Sequence, residues 1–406
     1  MLEQNKIYMD YSATTPVAEE VLEAMLPYFS QKFGNAGSRN HQFGWEAEDA
    51  VEEARNRIAK VLNADAKELI FTSGATESNN IAIKGVAKYM KKNKDKDHII
   101  TLSTEHKCVI ESCSYLEREG FKVTYLDVEA NGIVDLKKLE NSITDKTCLI
   151  TVALVHNEIG VIQPVEEIGR LCRSRGIIFH TDGAQALGRV QIDVQKSCID
   201  LLSLSAHKFY GPKGVGGLYV RRGVRLERIV SGGGQEKGIR SGTLPVPLCI
   251  GMGIAATIAE DMREREWERM VRLRDYMYNR IMKELSEVSL NGDLLKRVPH
   301  NLNFNFAYVE GESLMMYLKG IAVSSGSACT SGSLEPSYVI SALGTPEELV
   351  HSAIRLVFGR YTTQEEVEIV TNRIIDAVKL LRSMSPLWDM RQRGVDIKQV
   401  KWVNVH

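Results

Sequence analysis

No apolar run in this 406-residue chain approaches the roughly 20 residues that a membrane span needs, so a transmembrane protein is not expected. Nor is there a basic excess. Lysine and arginine number 51 against 52 aspartates and glutamates, a formal net charge of −1, which argues against a nucleic-acid binder. The seven cysteines (Cys108, Cys113, Cys148, Cys172, Cys198, Cys249 and Cys329) are odd in number and never spaced Cys-x-x-Cys. That pattern speaks against a zinc module and against a disulfide framework, and points to a reducing compartment. A signal or transit peptide has no room, because the acidic, turn-rich Asp10-Tyr11-Ser12-Ala13-Thr14-Thr15-Pro16 arrives almost at once; a cytoplasmic or already processed protein is expected. What remains, 44% apolar and 25% charged, is ordinary globular composition in a chain long enough for two domains.

Along the chain, β-type runs alternate with helical patterns. Val17 to Phe29 and Trp45 to Leu62 read as helices, separated by the polar loop Phe33-Gly34-Asn35-Ala36-Gly37-Ser38-Arg39. Glu68 to Thr72 reads as a strand, followed by Ser73-Gly74-Ala75-Thr76-Glu77-Ser78 and a helix from Asn79 to Met90. Small residues there let the backbone approach an anion, and the first-turn amides with the Thr76 hydroxyl would face a phosphate; a merely capped helix is the competing interpretation. The spacing is neither a P-loop nor a G-x-G-x-x-G fingerprint.

The same rhythm continues. His98 to Ser103 leads to His106, whose flat ring at a strand's edge could stack on a planar cofactor. Thr147 to Val155 reads as one continuous strand ending at Asn157, and Ile177 to Thr181 as a buried strand delivering Asp182. A carboxylate there is costly unless something positive or protonated faces it, or unless it caps the next helix. Leu201-Leu202-Ser203-Leu204-Ser205-Ala206-His207-Lys208 is an apolar strand that breaks at Gly211-Pro212-Lys213-Gly214 and leaves Lys208 at its exit. Thr76, His106, Asn157, Asp182 and Lys208 thus occupy five strand ends, and ligands of open α/β sheets bind beyond such ends. A phosphate cradle, a ring stacker, a carboxylate and a Schiff-base-capable lysine match pyridoxal 5′-phosphate better than other common cofactors.

Gly217 to Val220 looks like a closing strand, and the glycine-rich Ser231 to Thr243 like a loop reaching a ligand or a partner subunit, with Arg240 and Thr243 as anion contacts. From Gly251 to about Leu285 a highly charged helical pattern suggests a solvated inter-domain helix without chemistry. The expected fold is α/β, with a large domain (17–260) around a mostly parallel sheet and a smaller α+β domain (1–16 and 261–406) that carries the loop 324–333 and the C-terminal tail. Ser324-Ser325-Gly326-Ser327-Ala328-Cys329-Thr330-Ser331-Gly332-Ser333 offers nothing to bury a side chain against, so Cys329 is expected on a mobile loop as a candidate nucleophile. Arg355 lies in an apolar run and needs an anionic partner such as a carboxylate.

With Thr72-Ser73-Gly74-Ala75-Thr76-Glu77-Ser78, Thr104-Glu105-His106-Lys107, Asn157-Glu158-Ile159-Gly160, His180-Thr181-Asp182, Ser205-Ala206-His207-Lys208, Arg240-Ser241-Gly242-Thr243 and Ser324 to Cys329, the chain resembles the NifS/IscS-like cysteine desulfurases. These belong to the class V aminotransferase-like, fold-type I pyridoxal-phosphate enzymes, and the resemblance covers nearly the whole chain. It implies that Lys208 binds the cofactor aldehyde, His106 stacks on the ring, Asp182 pairs with the ring nitrogen and Gln185 contacts the ring hydroxyl. It assigns the phosphate to Ala75, Thr76, Ser205 and His207. Thr243 would reach the partner subunit's phosphate in a homodimer with shared active sites. Asn157 and Arg355 would hold the carboxylate of L-cysteine, and Cys329 would take its sulfur as a persulfide and release alanine. That persulfide would then go to an iron-sulfur scaffold or another acceptor, for cluster assembly or tRNA thiolation. Cys108 departs from the family pattern and puts a second thiol near the cofactor. Two other functions fit parts of the chain: another pyridoxal-phosphate enzyme, such as a selenocysteine lyase or aminotransferase, and a sulfur-carrier protein with a vestigial cofactor site and a docking tail.

Overall fold

A computed structural model describes residues 6–325 and 337–394. Twelve strands run in chain order: β1 (Ile7–Tyr8), β2 (Leu69–Thr72), β3 (His98–Leu102), β4 (Lys122–Leu126), β5 (Thr147–Thr151), β6 (Ile178–Asp182), β7 (Leu201–Ser205), β8 (Gly216–Val220), β9 (Val288–Leu290), β10 (Asn301–Phe306), β11 (Ile321–Ala322) and β12 (Ala353–Val357). Seven of them form the central sheet, in the order β2-β8-β7-β6-β5-β3-β4. From β7 to β4 every neighbour is parallel. Every residue of β3, β5 and β7 is buried, as expected where helices cover both faces, while the edge strand β4 is half-exposed.

The mostly parallel α/β expectation holds, with three differences. The Gly217–Val220 run does not close the sheet; β8 lies inside it, antiparallel to both β2 and β7. Its glycines fit a strand hemmed in on both sides. The strand that opens at Thr147 ends at Thr151, although the Val152 and Leu154 amides still donate to the His180 and Asp182 carbonyls, so Asn157 sits in a turn several residues past the strand. Val17 to Phe29 is broken into helices Glu19–Met25 and Pro27–Ser30, because Pro27 lacks the amide that would continue the first.

Helix Val246–Glu284 spans roughly 58 Å at the usual rise and links two apolar cores. Its first half packs in the core around the large sheet, where a Cβ on Gly253 would come within 2.7 Å of Ala54 Cα in helix Gln42–Leu62. Its second half contributes Met270, Met277 and Ile281 to a separate core with Phe304, Leu356 and Ile374, beneath the antiparallel sheet β12-β10-β9. The charges between the two halves are not all solvated. Buried Glu266 pairs with Arg360, and Arg269 donates to the carbonyls of Gly359, Arg360 and Thr362, clamping the chain that leads into helix Gln364–Ser383. No helix among the described residues is long and apolar enough to cross a membrane.

This topology sends β2, β3, β5, β6 and β7 to the same edge of the sheet, and Gly216 opens β8 there beside Thr72 and Ser205.

Candidate active site

One wall of the site is the start of helix Ala75–Lys94. Gly74, the residue before it, has φ 154° and ψ 177°, a conformation that side chains disfavour, and no side chain caps the helix. A 20-residue helix therefore turns uncapped first-turn amides and its positive end toward open space, the arrangement that binds anions. β8 runs close by: a Cβ on Gly216 would lie 2.5 Å from the Leu204 oxygen and 2.6 Å from Gly74 Cα. Arg240, expected as an anion contact, donates to the Glu77 carboxylate, its Nε 3.1 Å from Glu77 Oε1, while Glu77 Oε2 accepts the Ser73 amide. Burial alone would raise the Glu77 pKa, but the Ser73 amide and Arg240 outweigh it and hold the carboxyl below its usual range.

At the floor lies Asp182, the last residue of β6. Its Oδ2 accepts from Asn79 Nδ2 at 2.7 Å and its Oδ1 from the Ala184 amide at 2.9 Å. Asn79 is wholly buried and donates also to Cys108 Sγ at 3.1 Å. His106 caps helix Lys107–Arg118 through Nδ1, which accepts the Cys108 amide at 3.2 Å and lies 3.0 Å from Cys108 Sγ. Burial lowers the His106 pKa, favouring a neutral flat ring, and pushes the Cys108 thiol up to about 12. Glu105 beneath them is raised to about 8, first by burial and then by Asp182.

Lys208 stands three residues past β7 at the end of a short 3-10 turn, Ala206–Lys208. Its Nζ donates to the carbonyls of Ser12 (2.5 Å) and Ala13 (2.7 Å), so the turn-rich N-terminal segment forms the lip above it. Gln185 Nε2 donates to the same Ser12 carbonyl at 2.9 Å. His207 Nδ1 shares a hydrogen bond with Thr14 Oγ1 at 3.1 Å, and burial lowers its pKa to about 4.

Opposite, Arg355 on β12 donates through Nη2 to Asp10 Oδ1 at 2.7 Å and through Nη1 to the Asn157 carbonyl at 3.2 Å. The arginine is 2% exposed, and its Nε has no hydrogen-bond partner among the described residues.

A single cleft of about 620 Å³ is lined by Ala75, Thr76, His106, Asn157, Asp182, Gln185, Ser205, His207, Lys208 and Arg355, every expected site residue except two. Thr243 is exposed on a different cleft, beside Arg39, Arg55 and Lys237. Cys329 lies outside the described residues. The sequence pattern missed Asn79, Asp10 and the Ser12 and Ala13 carbonyls. Asn79 carried a usable signal, a polar residue one turn along from Thr76 on a helix face that is otherwise apolar; main-chain acceptors carry none.

Residues 7–370 match the family model of aminotransferase class-V. A cysteine desulfurase IscS from Ehrlichia chaffeensis (strain Arkansas) is 58% identical over 399 residues, 98% of this chain and 97% of the relative. Among solved structures, a NifS-like protein aligns with a TM-score of 0.86 at 36% identity, covering 92% of this chain and all of that one. SspA in complex with cysteine aligns with a TM-score of 0.77 at 39% identity, covering 88% of this chain and 100% of its own.

Proposed function

The chain belongs to the aminotransferase class-V family, in its cysteine desulfurase group, and from that premise we propose that it moves the sulfur of L-cysteine onto Cys329 as a persulfide, leaving L-alanine. The observation that carries the proposal is the convergence of Lys208, Asp182, His106 and an uncapped helix start on one cleft.

Pyridoxal 5′-phosphate fits that donor set, and when bound it supplies an electron sink for the substrate's α-carbon. Lys208 offers it the only kind of side chain that condenses reversibly with an aldehyde. The amides of Ala75 and Thr76, with Ser205 and His207, would hold its phosphate, beside Gly74 and Gly216, which leave the backbone bare. Asp182, oriented by two donors, can face a protonated ring nitrogen, with Gln185 beside the ring hydroxyl, while the neutral His106 ring can lie flat against the other face.

Arg355 and Asn157 are placed to hold the substrate carboxylate. Arg355 faces Asp10 and its Nε has no hydrogen-bond partner among the described residues, so a carboxylate has a donor to satisfy. Lys208, at the lip, is positioned to carry a proton at the α-carbon. Sulfur transfer then balances simply. Cys329 attacks the substrate sulfur, the carbon–sulfur bond breaks, and the carbon keeps the electron pair and takes a proton. One thiol and one cysteine become one persulfide and one alanine.

We further propose a homodimer. Leu26, Phe29, Phe33, Phe43 and Trp45 are exposed apolar side chains near the N-terminus, the Phe33 and Phe43 rings 5.7 Å apart, that a second copy would cover, and Thr243 lies outside the cleft of its own chain, as a residue serving the partner's phosphate would. The sulfur acceptor is proposed to be an iron-sulfur scaffold or a tRNA-thiolation protein, with the enzyme acting in the cytoplasm.

Lys208→Ala tests the cofactor assignment. The purified variant is expected to lose the visible absorbance band of the lysine-bound cofactor, whereas Cys329→Ser keeps the band and loses persulfide formation. Sulfide release from Cys329→Ser at the unsubstituted rate would contradict the nucleophile, and amino transfer to a keto acid would favour an aminotransferase.

A further inference from the structure

Residues 326–336, which include Cys329, lie outside the described residues, but both of their flanks are described. On the N-terminal side, Ser324 is joined to Arg355 by two backbone hydrogen bonds, Arg355 N–H to the Ser324 carbonyl at 2.7 Å and Ser324 N–H to the Arg355 carbonyl at 3.3 Å. On the C-terminal side, Ser337 Oγ donates to Glu158 Oε2 at 2.7 Å, and the Tyr338 hydroxyl donates to the Glu105 carbonyl at 2.6 Å. Each of these partners is a site residue or the immediate neighbour of one: Arg355 itself, Glu158 beside Asn157, and Glu105 beside His106.

Helix capping alone does not account for the C-terminal pair. Ser337 is the N-cap of helix Tyr338–Ala342, and its Oγ accepts the Ile340 amide at 3.3 Å. A cap needs only that lone pair. The hydroxyl proton goes to Glu158, a carboxyl group inside the protein, which costs free energy to bury unless it receives a hydrogen bond. The Glu158 main chain is fixed in turn, because its carbonyl accepts from Asn301 (3.1 Å) and Asn303 (3.2 Å) of β10. Glu105 is equally anchored, its Oε1 accepting the Ala153 amide at 2.8 Å. The two tethers therefore end on rigid parts of the site.

We propose that Ser337 and Tyr338 are positioning residues for sulfur transfer, fixing the C-terminal flank of the Cys329 segment to the loops that carry Asn157 and His106. The proposal rests on Cys329 being the sulfur acceptor. Attack of one sulfur on another demands alignment, and a misplacement of about 1 Å costs on the order of a hundredfold in rate. Holding the flank and the substrate-binding loops in one frame limits that misplacement, and neither Ser337 nor Tyr338 lines the cleft.

The test is a single turnover of the cofactor-loaded enzyme with L-cysteine, in which Cys329 persulfide is followed by mass spectrometry after rapid quenching. Cofactor affinity and the absorbance change on cysteine binding are measured alongside. Ser337→Ala and Tyr338→Phe are expected to slow persulfide formation about tenfold or more, with cofactor affinity and cysteine binding within about twofold of the unsubstituted protein. Ser337→Thr keeps both the lone pair and the proton and restores the rate. Tyr338→Phe removes one oxygen from a partly exposed ring, so it tests the idea even if Ser337→Ala folds poorly. Unchanged persulfide formation in Tyr338→Phe and Ser337→Ala overturns the proposal, as does a parallel loss of cofactor and cysteine binding, which marks a merely structural role. Alanine production without Cys329 persulfide in the unsubstituted enzyme overturns the assignment of Cys329 instead.

Discussion

Asn79 Nδ2 donates to Asp182 Oδ2 across 2.7 Å inside the protein, and the same amide reaches Cys108 Sγ at 3.1 Å. A residue of helix Ala75–Lys94 thereby sets the orientation of the carboxylate at the floor. Hydrogen bonds to charged groups contribute about 1.5–3 kcal/mol, so Asn79→Ala should weaken pyridoxal 5′-phosphate binding by roughly ten- to a hundredfold. Titration of the cofactor-free protein, read by visible absorbance, measures this directly; unchanged affinity would leave Asn79 with packing alone.

Cys108 is the one cysteine among the described residues that lines the cleft, yet burial pushes its pKa up to about 12 and it stays protonated at neutral pH. The thiolate is the nucleophile, so this sulfur should be inert. Brief alkylation of the folded protein at pH 7.5 is expected to label Cys329 and half-exposed Cys198, and to spare Cys108, Cys113, Cys148, Cys172 and Cys249. Peptide mass spectrometry checks it, and persulfide on Cys108 after turnover would contradict it.

Gly216 has no room for a side chain. The Leu204 oxygen and Gly74 Cα both lie closer than 3 Å to where its Cβ would sit, and both are backbone. Gly216→Ala must push β8 away from the helix start, an overpacking cost of about 1–3 kcal/mol. A lower thermal midpoint and weaker cofactor binding are expected together, because the same displacement opens the proposed phosphate cradle.

The pH dependence of stability follows from buried acids and histidines with opposite signs. Burial lowers His156 and His180 to about 4, so between that value and 6.5 the unfolded chain holds more protons and stability rises with pH. Burial raises Glu105 to about 8 from an ordinary 4.5, so over that window the folded state holds the extra proton and stability falls as pH rises. Between pH 6.5 and 8 the carboxyl groups alone of these act, with Glu158, raised to about 7, adding the same sign. The thermal midpoint should therefore decline across that interval, and Glu105→Gln should flatten the decline. An unchanged slope in the variant would contradict the protonated state assigned to Glu105.

The sheet and the cleft were legible because both write themselves into local sequence. Buried parallel strands such as β3 and β7 are unbroken apolar runs, and the reactive side chains follow their ends by a few residues. The place of β8 inside the sheet was not legible, since strand order depends on which edge a short glycine-rich strand enters, and its own residues do not encode that. The Arg240–Glu77 pair was not legible from the glycine-rich loop alone, because Glu77 lies 163 residues away. The Ser12 and Ala13 groups that meet Lys208 are main-chain carbonyls, which every residue type presents alike. The Ser337–Glu158 pair was hidden for a different reason: burial makes it matter, and burial becomes visible only once helix and loop are packed.

The central claim is that one sulfur leaves L-cysteine for Cys329. Incubating the cofactor-loaded protein with a slight excess of L-cysteine, in the absence of reductant and acceptor, and counting both products settles it most directly. One alanine should form per active site, matched by a mass increase of one sulfur atom on the peptide containing Cys329. Alanine without that added sulfur, or the added sulfur on Cys108 in its place, would contradict the account.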